Sequence, residues 1–307
     1  MTENKNKRRI GILRGGAGKH YEDSLAKGGE VIFFILENLA DRYKVIDIFV
    51  DKEGVWYADG LLMNPLDLPN KVDVVWNISH PNFSSFIKNL SVPTIKTSSF
   101  SKVISASRGM LQQQMKKIHI DMPRHIMFPA YQKDFDGPRD EYALKKSKEV
   151  FEKFSSPWII RSLATDANVG VHVANTFSEL MDAIEDISKY QESILVEELI
   201  SGKNVFMHTI SGFRGEDVYV FPAGNFSKGE KEKLDEAAKK IHQRLDVSSY
   251  LKSNFVLNLR KRIYLTSVEF FPDLKSNSHL NQRCESVGAK MHHMVKHIIE
   301  SNLNKKA

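Results

Sequence analysis

Hydrophobic positions in the first eighty residues fall in short continuous runs separated by longer amphipathic stretches. RRIGIL (8–13), YKVIDIFVD (43–51) and DVVWNIS (73–79) read as strands, with a helix over residues 21–42 after a glycine-containing turn. Apolar runs joined through a helix predict a parallel sheet buried on both faces, a small doubly wound lobe. NLSVPTIKTSS (89–99) turns polar, and Pro93 disfavours helix at Val92, so this stretch predicts a hinge into a second lobe.

Beyond it the period changes. Residues 101–118 have helical spacing, MPRHIMF (122–128) reads as a strand, and a charged helix follows over 140–154. Residues 156–180, SPWIIRSLATDANVGVHVANTFSEL, read as strand, loop, strand and helix start, with Thr176 and Glu179 spaced as a capping box. SILVEELI (193–200), NVFMHTIS (204–211) and DVYVFPAG (217–224) predict an antiparallel sheet that opens a third lobe. An amphipathic helix over 230–245, the strand pair 250–258 and 262–270, and one last helix over 281–303 complete the chain. The fold class expected is α/β with α+β lobes.

Composition narrows the function. No apolar run approaches the roughly 20 residues needed to span a bilayer, and the basic start MTENKNKRR leads to no cleavage signal, so it reads as a frayed tail. Cys284 is the only cysteine, which excludes an intrachain disulfide and fits a reducing cytoplasm. A formal charge of +6 suits a polyanionic partner such as a nucleotide. The basic residues are scattered, without the interleaved aromatics of a nucleic-acid groove. His293 and His297 lie one helical turn apart, but no acid lies between them as in a zinc motif, and a solvated or capping role is expected. No Gly-x-Ser-x-Gly elbow supports a serine hydrolase.

IGILRGGAGKHYEDSL, DVVWNISHP, PWIIRSLATDANVGV, ILVEELISGK and YLTSVEFFPDLKSNSHL, in that order, resemble the D-alanine–D-alanine ligases of the ATP-grasp superfamily. The resemblance implies a three-lobed ATP-grasp fold: an N-terminal lobe over 1–97, a central lobe over 98–192 and a C-terminal lobe over 193–307. ATP is held between the sheets of the last two. It also implies ATP-dependent carboxylate–amine ligation through an acyl phosphate, with an amino acid, D-alanine-like, as substrate and a role in peptidoglycan biosynthesis. Neither a membrane nor a nucleic acid is expected as partner, and a homodimer is left open.

The same resemblance assigns site residues. Arg108 and Arg161 stand where the family carries phosphate-binding cations, usually lysines, and Glu197 where it contacts adenine. The backbone of Glu198 to Ile200 would pair the adenine edge, and Asn204 replaces a ribose-binding acid. Asn254, Ser267 and Glu269 match the magnesium ligands, with one carboxylate where the family has two. The expectation is one weakly held Mg²⁺ with ATP, through Glu269. Lys252 matches the cation that steadies the tetrahedral intermediate. His80 ends a strand as in the family, and Ser278 matches the serine that holds a substrate carboxylate. On the substrate side His20 displaces the family's ammonium-binding acid, while Glu22 and Ser24 match.

Two departures support a rival reading, a nucleotide-binding relative without turnover. SLATDANVG (162–170) keeps only Gly170 of the small residues a phosphate cradle needs, and Asp166 adds the wrong charge. Only GFRGEDVYVF lies where the family carries a mobile lid that excludes water from the acyl phosphate.

Overall fold

The structure, a computed structural model, describes residues 7–16, 21–79, 83–95, 104, 107–163 and 171–303. The chain divides into two compact units, one of residues 1–120, 205–255 and 267–307 and the other of residues 121–204 and 256–266. No helix among the described residues is long and apolar enough to cross a membrane.

The first unit begins with the expected parallel sheet. Strands β1 (Arg8–Gly15), β2 (Tyr43–Val50), β3 (Trp56–Ala58), β4 (Leu61–Leu62), β5 (Val74–Asn77) and β6 (Thr94–Ile95) lie in the order β4-β3-β2-β1-β5-β6. β1 runs parallel to β2 and β5, and β5 to β6, whereas β3 and β4 add antiparallel pairs at one edge. The side chains of β1 alternate between two cores. Ile10 and Ile12 pack with Val31 and Ile35 of helix α1 (Tyr21–Leu39), and Leu13 packs on the other face with Ile48, Val75 and Ile87. The turn after β1 requires glycine. Gly15 has φ +85°, and a Cβ there would lie 2.1 Å from the Val50 carbonyl oxygen. The carboxyl ends of β1 and β5 meet where the strand order reverses, the place where open α/β sheets bind ligands. The polar stretch expected as a hinge is partly strand, because Thr94 and Ile95 are buried and pair with Val75 and Trp76.

The second unit is a four-stranded antiparallel sheet in the order β7-β10-β8-β9, made of β7 (His125–Phe128), β8 (Trp158–Ser162), β9 (Val171–Ala174) and β10 (Ile194–Glu198). Residues 193–200 therefore do not open the third sheet. Ile194, Leu195 and Val196 are buried, and β10 takes a central place between β7 and β8. After helices α2 (Phe83–Asn89) and α3 (Arg108–Lys117), both of the first unit, come α4 (Arg139–Lys153) and α5 (Phe177–Ser188), and it is these last two that cover this sheet. Thr176 caps α5 by accepting the Glu179 amide at 3.3 Å, but the Glu179 carboxylate reaches back one residue further than in a standard box, to the Asn175 amide at 2.7 Å.

The third sheet has the order β12-β11-β13-β14, from β11 (Gly202–Ser211), β12 (Val218–Val220), β13 (Tyr250–Asn258) and β14 (Ile263–Glu269). Helix α6 (Lys228–Arg244) joins β12 to β13. Its His242 is buried, with Nδ1 at 2.8 Å from Thr209 Oγ1 and Nε2 at 2.8 Å from Ser211 Oγ. Burial pushes this imidazole down from its ordinary 6.5 to about 4. The unfolded chain therefore binds the extra proton first, and stability is lost as pH falls from 6.5 to about 4. His242 alone should contribute about 3 kcal/mol to that loss at most. Thermal melts across this range should show a shallower pH dependence for His242→Gln.

The last helix of the sequence reading is two. α7 (His279–Ser286) ends at Val287 and Gly288, the latter at φ +66°, and α8 (Met291–Leu303) restarts with the His293 ring accepting the Lys290 amide at 3.2 Å. His297 bonds the Ser211 carbonyl at 2.8 Å. Both histidines thus serve structure, and no metal-holding group of three His, Cys, Asp or Glu occurs among the described residues.

Candidate functional site

In the second unit, strand register places the nucleotide candidates together. Leu195 pairs with Arg161 and Glu197 with Ile159 across the β10–β8 ladder. The Arg161 guanidinium then reaches Glu197 Oε2 at 3.2 Å, with the carboxylate nearly buried and the arginine partly exposed. Arg161 and Glu197, expected from the sequence as phosphate cation and adenine acid, are therefore partners of each other, a pairing that spacing 36 residues apart in sequence could not reveal. Glu198 has a different job. Arg124 grips it with Nε at 2.9 Å and a second nitrogen at 3.0 Å, holding its carboxyl below the usual range and fastening β7 to β10. The Glu198 amide bonds the Arg124 carbonyl and the Leu199 amide bonds the Pro157 carbonyl, each at 2.9 Å. The Ile200 amide makes no backbone bond to a described residue. Asn204 is exposed on β11.

The first unit holds the remaining candidates. Arg108 is buried in the first turn of α3, after Ser107, whose hydroxyl accepts the Met110 amide at 3.4 Å. Asn254 and Ser267 face each other on neighbouring strands, the Asn254 amide nitrogen donating to Ser267 Oγ at 2.7 Å and to Glu269 Oε1 at 2.8 Å. Lys252 Nζ contacts that same Glu269 oxygen at 3.1 Å. The single carboxylate is thus already bonded by one cation and one amide. Hard divalent ions select anionic oxygens, usually one or two carboxylates beside the phosphates. This donor set does not fit a pair of Mg²⁺ ions.

Ser278 is the N-cap of α7, and its hydroxyl oxygen accepts the Asn281 amide at 3.1 Å. Ser24 is buried and holds the turn after β1 by accepting the Gly15 amide at 2.9 Å, whereas Glu22 is exposed, 3.8 Å from Lys52. His20, His80 and the loop 164–170, with Asp166 and Gly170, lie outside the described residues. Within the first unit, Asp23, Lys27, Asn77, Tyr250 and Phe271 line a cavity of about 160 Å³. Its size suits one small amino acid. Where a lid was sought, β11 and β12 are joined by a tight connection in which Phe213 is buried, and the two strands pair directly, Thr209 with Val220.

Sequence reasoning missed the polar chain behind this face. His208 of β11 is buried between Tyr250 and His279, and Arg283 bonds His279 in turn. The signal available was a histidine inside the apolar run NVFMHTIS.

Three antiparallel or mixed layers in this order, with cation and acid on adjacent strands, define the ATP-grasp fold. The chain resembles in structure the D-alanyl-alanine synthetase A of Vibrio cholerae, with a TM-score of 0.77 at 16% identity over 97% of this chain and 98% of that one. It also resembles the D-alanine–D-alanine ligase of Bacillus anthracis complexed with ATP, with a TM-score of 0.69 at 18% identity over 97% and 98%. The family model for the D-ala D-ala ligase C-terminus matches residues 116–225. In sequence the chain is 22% identical to the D-alanine–D-alanine ligase of Borrelia recurrentis over 65% of its own length, and it spans about 60% of that relative. The enzyme of the same name from Clostridium acetobutylicum is 21% identical over 96% of this chain and 97% of its own. In sequence and in fold the chain is similar to the D-alanine–D-alanine ligases.

Proposed function

We propose that the protein is an ATP-dependent carboxylate–amine ligase acting on a small amino acid, D-alanine or a close analogue, in the assembly of peptidoglycan precursors. The observation that carries this is the Arg161–Glu197 pair beside the Ile200 amide. It offers a cation for phosphate, an acid for the adenine amino group and one N–H for the adenine edge. The relative from Bacillus anthracis that shares the fold was crystallised with ATP. In this reading a substrate carboxylate oxygen attacks the γ-phosphorus and ADP leaves. A second substrate's amine then attacks the acyl phosphate, and phosphate leaves as the amide forms. Lys252 faces the developing negative charge, Ser278 holds a carboxylate, and Glu22 and His80 flank the first substrate. The three-lobe division of the chain belongs to the same proposal.

Arg161→Ala should weaken ATP binding roughly tenfold or more, the cost of one charge-assisted phosphate contact. Calorimetry with ATP checks it, and equal affinity in mutant and wild type would reject this placement. The Lys252 and Asn254 bonds to Glu269 favour a second reading, a nucleotide-binding relative without turnover. ADP release from ATP and Mg²⁺ separates the two. A ligase releases ADP only when amino acid is added, and the non-catalytic relative releases none.

A further inference from the structure

Strand β11 carries an aromatic ring on the face that bears Lys252. Val205 and Met207 are buried, so Phe206 between them points the other way, and it is 37% exposed. A single exposed apolar residue needs no explanation by itself. This one has two polar neighbours. Lys252 Nζ lies over the ring, 5.2 Å from its centroid, and the His279 ring meets it at 5.4 Å with the two planes at 78°.

His279 is pinned at both nitrogens. Its Nδ1 lies 2.8 Å from His208 Nε2, and its Nε2 accepts Arg283 Nε–H at 3.2 Å. The buried His208 places its Nδ1 2.7 Å from the Tyr250 hydroxyl, and the rings stack, His279 on His208 at 5.1 Å and His208 on Tyr250 at 6.0 Å. Burial is the main cause that keeps both imidazoles neutral, lowering His208 strongly and His279 to about 4. The support behind Phe206 is therefore fixed and uncharged.

Lysine is a point charge on a flexible stem, without the rigid fork of a guanidinium, so its direction has to come from its contacts. The Lys252 side chain has two. Its Nζ donates to Glu269 Oε1 at 3.1 Å, the one hydrogen bond it makes among the described residues. That oxygen also accepts the Asn254 amide at 2.8 Å. The second contact is the Phe206 ring, whose negative face attracts an ammonium without accepting a hydrogen bond from it in the carboxylate's manner. The remaining N–H groups stay available to an incoming anion.

We propose that Phe206 is a positioning residue of the ligase reaction: its ring face aims the Lys252 ammonium at the negative charge that develops in the transition state, and His279 holds the ring in place. The assignment rests on the ligase reading and deepens it. An aliphatic side chain at 206 fills the space but offers the ammonium no ring face, whereas tyrosine keeps the face.

The test is steady-state ADP release with ATP, Mg²⁺ and D-alanine for wild type, Phe206→Leu and Phe206→Tyr. Leucine should lower kcat roughly threefold to thirtyfold, the range of one cation–π contact, with KM for ATP and D-alanine within about twofold, and tyrosine should restore kcat. In a Lys252→Ala background Phe206→Leu should cost nothing further, because the contact it removes is already gone. Proton NMR of lysine-labelled protein reads the contact without turnover: the Lys252 Cε protons should be shifted upfield by the ring in wild type and return to ordinary positions in Phe206→Leu. The proposal is overturned if Phe206→Leu keeps wild-type kcat, if tyrosine falls as far as leucine, if the loss appears in KM alone, if the two substitutions add, or if wild type shows no ring shift. Wild type that releases no ADP with amino acid overturns the ligase reading and this assignment with it. Wild-type turnover that Phe206→Leu leaves unaltered removes only the assignment.

Discussion

Replacing Asn254 by Asp and Ser267 by Glu should tighten Mg²⁺ binding on the order of a hundredfold when nucleotide is present. In the protein as it stands Glu269 is the lone carboxylate of the three, and Lys252 and Asn254 both bond its Oε1. The double substitution removes the amide donor and adds two carboxylates at the same spot. Lys252 then has more than one acid to satisfy. Isothermal titration of Mg²⁺ into wild type and the double variant, each saturated with a non-hydrolysable ATP analogue, measures the change. Two ions held tightly by wild type would show that neutral oxygens suffice here and that the charge argument is wrong.

Trp158→Ala should cost about 4 kcal/mol of stability, as large-to-small changes at buried aromatic positions do. Trp158 is only 1% exposed in the core of the second unit, among Phe154, Ile160 and Leu180, and its indole N–H bonds the Phe154 carbonyl at 3.0 Å. The substitution leaves a cavity and an unanswered carbonyl together. It also loosens β8, the strand that carries Arg161, so ATP affinity should fall with stability. Urea unfolding of wild type and mutant, with ATP titrated at low urea, reads both. A loss below about 1 kcal/mol would mean that the sheet collapses onto the gap at little cost.

Some of this was legible in the chain. The buried runs RRIGIL and DVVWNIS gave a parallel sheet because side chains enclosed on both faces leave no polar alternation. The short edge strands β3 and β4 carried no such mark, since Leu61 and Leu62 are exposed. SILVEELI reads as a strand, yet which sheet it joins depends on pairing across distant residues, and periodicity carries no information about that. The break between α7 and α8 rests on the positive φ of Gly288, visible in sequence only as one glycine inside an otherwise helical pattern. Arg161 and Glu197 could be chosen as site residues by resemblance. Their ion pair could not, because it follows from the register of β8 against β10. The polar chain from Arg283 to Tyr250 was illegible for the same reason: its members come from β11, β13 and α7.

The most direct measurement of the proposed chemistry follows an oxygen atom. D-Alanine labelled with ¹⁸O in its carboxylate is incubated with ATP, Mg²⁺ and protein, and the released phosphate is analysed by mass spectrometry. If the carboxylate attacks the γ-phosphorus and the amine then displaces phosphate, each phosphate carries one labelled oxygen and one dipeptide forms with it. ADP and phosphate without label, or no phosphate at all, would contradict ligation through an acyl phosphate.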